Sequence, residues 1–194
     1  MSARTALRWT LGALAATPLL EYGWHAWIAH SVGKRGLAGA LSRRKDPSRA
    51  AHLEHHRTAH TVGDAWGEIG ENMPRVAGTA AAIGAVLTPL LGPSRALPFA
   101  AGLAIGYVRI TLAHARMHER APRNAAEEWM WRFHFHHHYA DPRVNFGLTS
   151  PVFDYAFGTA VDPEEVVLPE AALPAWWTGV HRGFRVRGAR AETA

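Results

Sequence analysis

His134-Phe135-His136-His137-His138 repeats the spacing of His52-Leu53-Glu54-His55-His56, so the chain carries the pattern H-x-x-H-H twice. Residues at i, i+3 and i+4 share one face of an α-helix, which makes each repeat a helical segment able to aim three imidazoles at one place. Two further pairs flank the repeats. His114 and His118 form H-x-x-x-H, and His25 and His30 stand five residues apart. On a regular helix a separation of five turns two side chains more than a quarter turn apart, so His25 and His30 are expected to serve two adjacent metals rather than one. His136 points away from His134 and His138 and is read as a non-ligand. His60, one turn after His56, fits a ligand, a supporting or a surface role equally.

Working outward, each histidine group adjoins apolar sequence. A first apolar stretch, about Ala6 to Ala29, has the length of a bilayer span of roughly 20 residues. Its rival reading is a signal peptide, with Arg4 and Arg8 ahead of an apolar run and a cleavage-like Ala13-Leu14-Ala15. A second apolar region, Val76 to Ala113, is split by Gly92-Pro93 and Pro98, with Pro74 placed as a first-turn proline. Each half is short for a span, and the region reads as a tight helical hairpin dipping into a membrane. Its Ala and Gly content (Ala80-Ala81-Ala82, Gly84, Gly102, Gly106) favours close helix approach. The fold class expected is all-α, an integral membrane helical domain over residues 1–162, followed by a surface tail over 163–194 with Trp176-Trp177 at the membrane interface.

The net charge is +5, from 21 Lys and Arg against 16 Asp and Glu. Lys34, Arg35, Arg43, Arg44, Lys45, Arg49, Arg57 and Arg75 lie between the apolar regions, and Arg116, Arg120, Arg123, Arg132 and Arg143 follow the hairpin. The positive-inside tendency then turns these segments, and the histidine-lined site, toward the cytoplasm. Nucleic acid is not needed to explain the basic excess. The chain has no cysteine, which removes disulfides, thiolate zinc sites, iron–sulfur clusters and cysteine nucleophiles together. G-x-S-x-G is absent as well.

Ten candidate imidazoles exceed what one ion needs and suit two ions of five or six coordination. Neutral imidazole serves iron, zinc, copper and nickel alike. Three function classes follow: an oxygenase attacking a lipid, a zinc hydrolase or lyase using the same cage, and a non-catalytic metal-binding membrane protein. An alkyl C–H bond is beyond any side chain, so the oxygenase reading places the chemistry on a cofactor. Electrons then come from outside, from a ferredoxin or small haem protein with its reductase. Arg43, Arg44 and Lys45 are a candidate docking surface for such a donor. Glu54, Asp141 and Asp154 are candidates to orient ligand rings.

The four histidine groups in this order, with Glu21-Tyr22-Gly23-Trp24-His25, the run Asn145-Phe146-Gly147-Leu148-Thr149-Ser150-Pro151, Asp154 and Phe157-Gly158-Thr159, resemble the fatty acid hydroxylase / sterol desaturase superfamily. The resemblance covers about Leu19 to Ala160. It implies an all-helical membrane enzyme whose histidines bind two iron ions, with zinc as a possible substitute, and which uses O2 to hydroxylate or desaturate a lipid. His25, His30, His52, His55, His56, His114, His118, His134, His137 and His138 match the ligand positions of that family. A fatty acyl substrate is favoured by the resemblance alone, with a sterol or carotenoid as the alternative.

Overall fold

A computed structural model describes residues 2–30, 47–58, 65–179 and 181–187. α1 (Ala3–Gly23) runs without a break into a π-helical turn, Trp24–Ala29. α2 is Pro47–Thr58, α3 Ala65–Leu91, α4 Pro93–Glu119, α5 Ala125–Tyr139 and α6 Val152–Phe157. Two three-residue strands, β1 (Val166–Leu168) and β2 (Phe184–Val186), pair in parallel, with Val166 opposite Phe184. The chain divides into two compact units, the described parts of 1–21 with 63–113, and of 22–62 with 114–194.

In the first unit Gly92, at φ +75°, separates α3 from α4, a backbone conformation that glycine adopts without steric cost. α1 packs on α4 through small residues. A Cβ at Gly102 would fall 2.7 Å from the Ala13 Cβ, and one at Gly106 would meet Thr17. The Thr10 hydroxyl donates to the Pro98 carbonyl at 3.2 Å, and Arg109 Nη2 donates to the Thr17 hydroxyl at 3.2 Å. Pro74 and Pro98 do not bound helices as the sequence suggested; both lie inside them. A long apolar helix tolerates the one bond each proline forfeits.

The hairpin helices are correspondingly longer than expected. Ile69–Leu91 (23 residues) and Pro93–Glu119 (27 residues) are, among the described residues, the two helices long and apolar enough to cross a membrane. At 1.5 Å per residue, both exceed the roughly 30 Å of a bilayer core. Val86, Leu90, Leu97 and Ile105 are more than half exposed, an apolar surface that protein does not cover. α1, expected as a span, is not one of the two; Arg8 and Glu21 bound its apolar stretch, and Thr10, Thr17 and Pro18 interrupt it.

In the second unit Asn124 caps the start of α5. The Asn124 side chain accepts from Glu127 N–H at 3.0 Å, and the Glu127 carboxylate accepts from Arg123 N–H at 2.8 Å. Arg120 adds a bidentate pair to Glu127, both bonds at 2.6 Å, and holds its carboxyl down to about 2. Trp131 and Phe135 of α5 bury against Met117, Val166, Leu168, Trp176 and Phe184. The expected surface tail therefore contributes Val166, Leu168, Trp176 and Phe184 to a core, while Glu164, Glu165, Glu170 and Arg182 stay exposed. The Trp176 indole donates to the Met117 carbonyl at 2.8 Å and is buried, not laid on a membrane interface. A second cluster joins Tyr22, Ala26 and Phe146, with Phe153 against it.

Candidate metal centre

Successive residues of an α-helix point 100° apart, so the adjacent histidines that close each H-x-x-H-H cannot face one point. The structure resolves this by sharing them out. His25, His30, His52, His56 and His137 form one group, and His55, His114, His118, His134 and His138 form a second. Within each group the ligand-competent nitrogens all lie within 4.8 Å of one another. Each H-x-x-H-H thus feeds both groups, which corrects the expectation of three imidazoles at one place. α2 gives two imidazoles to the first group and one to the second; α5 does the reverse.

His25 and His30 share a group, against the expectation that they would part. The cause is the π-helical turn, in which the His30 N–H donates to the His25 carbonyl at 3.0 Å. A π-turn closes over five residues and so returns i and i+5 to one face.

The nitrogens converge closely. Nε2 of His30 lies 2.9 Å from Nε2 of His52 and 3.1 Å from that of His137, while His56 Nε2 lies 3.1 Å from His52 and 3.2 Å from His137. In the second group His118 and His134 approach to 2.9 Å. Two tautomers follow from the partners on the other side of the rings. His25 Nδ1 lies 2.5 Å from the Phe146 carbonyl and His137 Nδ1 2.7 Å from the Val144 carbonyl. A carbonyl only accepts, so each Nδ1 carries the proton and each Nε2 presents a lone pair to its group. His25 Nε2, His55 Nε2 and both ring nitrogens of His138 are buried without a hydrogen-bond partner among the described residues.

The lone pair of His25 Nε2, buried without a partner among the described residues, is an orphaned acceptor that a cation among the five rings would satisfy. An ion about 2.1 Å from two nitrogens at right angles holds them ~3.0 Å apart, which matches the separations above. The ten imidazoles therefore fit metal ions. Burial, the largest cause, lowers His30 and His55 to about 4 and His56 to about 3; the Arg49 charge adds to it at His30, and His30 and His55 add to it at His56. His52, His134, His137 and His138 are pushed down further by burial and by neighbouring imidazoles. At neutral pH these side chains are in the uncharged form that ligates. Among the described residues, neither group contains a carboxylate.

His136 is half-buried and belongs to neither group. His60 lies outside the described residues, as do Lys34, Arg35, Arg43, Arg44 and Lys45, so the expected donor-docking surface does too. Glu54 is exposed and accepts from Arg57 at 3.4 Å, and Asp141 binds Arg143 at 2.8 Å. Asp154 is fully buried and accepts from the N–H groups of Phe146 and Gly147 and from the Thr159 hydroxyl, not from an imidazole. Burial, opposed by these donors, raises its carboxyl above the ordinary value. The Val144 and Phe146 carbonyls, which fix two rings, left no mark in the residue types. Asn145 between them takes φ 59° and bonds the Phe133 and Val161 carbonyls through its side chain. Trp24, also missed, sets its ring edge-on to His52 at 5.4 Å.

The sequence pattern of the fatty acid hydroxylase family matches residues 10–159. The chain is similar to two dihydroceramide fatty acyl 2-hydroxylases of Arabidopsis thaliana. It is 29% identical to FAH2 over 70 residues, 36% of this chain, and 31% identical to FAH1 over 75 residues, 39% of this chain. It spans 30% of the length of each. Among solved structures its fold is similar to that of full-length scs7p, of which only the hydroxylase domain is visible. The TM-score is 0.57 at 22% identity, covering 83% of this chain and 58% of that one.

Proposed function

Since the chain belongs to the fatty acid hydroxylase family, we propose that it is an integral membrane oxygenase that hydroxylates a lipid C–H bond, with its ten grouped imidazoles as ligands of two iron ions. The observation that carries this reading is the pair of five-imidazole groups, each ring buried or half-buried, with lone pairs fixed inward at His25 and His137. Iron bound there supplies what no side chain can, the activation of O2 for attack on an alkyl carbon. The balance is R–H + O2 + 2 electrons + 2 protons giving R–OH + H2O. Loss of a second hydrogen in place of oxygen transfer would give a double bond.

The chain's own residues bind, orient and exclude. The Val144 and Phe146 carbonyls hold two rings in one tautomer. Phe135 and Phe146, both fully buried, close apolar surface against the imidazoles and keep water from them. The apolar faces of α3 and α4 seat the protein in the bilayer, where its substrate dissolves. The excess of Lys and Arg in the segments outside the apolar helices favours a site facing the cytoplasm. With no cysteine for an iron–sulfur relay, the electrons come from a separate ferredoxin or small haem protein and its reductase. A fatty acyl lipid is the substrate class named by both plant relatives.

The test compares whole-cell lipids by high-resolution mass spectrometry from cells making the protein or its His55→Ala/His137→Ala variant, with a competent donor present. A lipid that gains one oxygen only with the intact protein identifies the activity and the substrate together. A sterol or carotenoid gaining it would reassign the substrate. Identical lipid profiles would sink the oxygenase reading in favour of a metal-binding protein without this chemistry.

A further inference from the structure

We propose that Asp154 is a positioning residue for one imidazole group only, that of His25, His30, His52, His56 and His137, and that it acts through peptide bonds rather than by touching a ring. The inference rests on the metal reading above. Asp154 Oδ2 accepts from the Gly147 N–H at 2.8 Å. That N–H and the Phe146 carbonyl are two ends of a single peptide unit, and the carbonyl accepts a hydrogen bond from the His25 Nδ1–H. A line of bonds therefore runs from the His25 ring, through a planar conjugated amide, to a buried carboxylate. A carboxylate drawing on the amide N–H makes the amide oxygen a stronger acceptor, which makes the imidazole a stronger ligand. The peptide relays what a carboxylate bonded directly to a ligating histidine would do.

His137 is held by a parallel branch. Its Nδ1 donates to the Val144 carbonyl, and the N–H of that peptide unit, on Asn145, donates to the Thr159 carbonyl at 2.9 Å. Thr159 is in turn bound to Asp154 twice, hydroxyl to Oδ1 at 2.9 Å and N–H to the Asp154 carbonyl at 2.8 Å. Oδ1 also accepts from the Phe146 N–H at 2.7 Å, so both carboxylate oxygens grip the strip that carries the two ring acceptors. The strip leaves no room for a side chain, because a Cβ on Gly147 would collide with the Ser150 carbonyl oxygen and stand 2.9 Å from Asp154 Oδ2. Both branches end in the same imidazole group. The two groups are thus inequivalent, and Asp154 tunes one of them.

Cobalt(II) titration of the full chain in lipid nanodiscs, followed by visible absorption, reads each group separately when the other is disabled. His114→Ala/His134→Ala leaves the His25 group; His30→Ala/His52→Ala leaves the other. Asp154→Asn keeps the shape and replaces one acceptor oxygen with a donor. In the first background it is expected to weaken cobalt at least ~10-fold and shift its absorption bands, and in the second to change neither. Equal weakening in both, or none in either, overturns the role of Asp154. If Asp154→Asn does not fold, Thr159→Val, which deletes the hydroxyl bonds to Asp154 Oδ1 and to the Tyr22 hydroxyl and leaves the carboxylate, is expected to give a smaller loss confined to the same background; loss in both or neither overturns the role as before. An otherwise unaltered protein that binds no cobalt overturns the metal reading itself, a result distinct from intact binding without selectivity.

Discussion

His137 and His138 are neighbours in the chain and belong to different imidazole groups, as do His55 and His56. Single substitutions at adjacent positions should therefore damage different centres. His137→Ala and His138→Ala are each expected to leave one metal equivalent bound, and the double variant none, by elemental analysis of the purified protein. The acidity of the rings gives a second expectation. His30 and His55 are lowered to about 4 and His56 to about 3 from 6.5, so between about pH 6.5 and pH 4 the unfolded chain binds more protons than the folded one. The metal-free protein should lose stability as pH falls through that window, seen as a falling thermal midpoint between about pH 7 and pH 5. A midpoint indifferent to pH would mean these rings are not buried uncharged. All ten gathered histidines were legible as ligand candidates from spacing beside apolar sequence. Their division into groups was not, because H-x-x-H-H tells which residues share a helix and not where a second helix stands. The carbonyls of Val144 and Phe146 were invisible for a simpler reason, that every residue has one.

Among the elements, α2 depends most on the imidazoles it carries. None of its described apolar side chains is buried; Leu53 is only partly so. A helix of 12 residues is marginal alone. Chelating the metal should let the amide hydrogens of α2 exchange rapidly while those of α5, anchored by buried Trp131, Phe133 and Phe135, stay protected. Equal protection of both helices after chelation would show that α2 is held by something other than its ligands. The hairpin itself could be read from Gly92 and the apolar runs on either side. Its true length could not, since Pro74 and Pro98 look like boundaries unless the surrounding helix is known to carry them. The π-turn was likewise hidden, as Trp24–Ala29 contains nothing that a regular helix would refuse.

For the molecule as a whole, the exposed apolar surface of α3 and α4 predicts that the protein stays with the membrane pellet after alkaline carbonate washing and is released by detergent. Release by carbonate alone would rule out insertion of these helices. The sequence under-read the carboxyl-terminal segment, where Val166, Leu168, Trp176 and Phe184 are too sparse to show a period yet complete the core around α5. The crossed supply of imidazoles has a consequence of a different kind. The two groups are bridged where His55 meets His56 and again where His137 meets His138, a single covalent step of about 3.8 Å between Cα atoms on each of two helices. It works as a ruler cut into the backbone in duplicate. Loops can lengthen and the lipid can change, and the two groups still stay within reach of two pairs of chain neighbours, whose rings lie 6.2 and 5.8 Å apart.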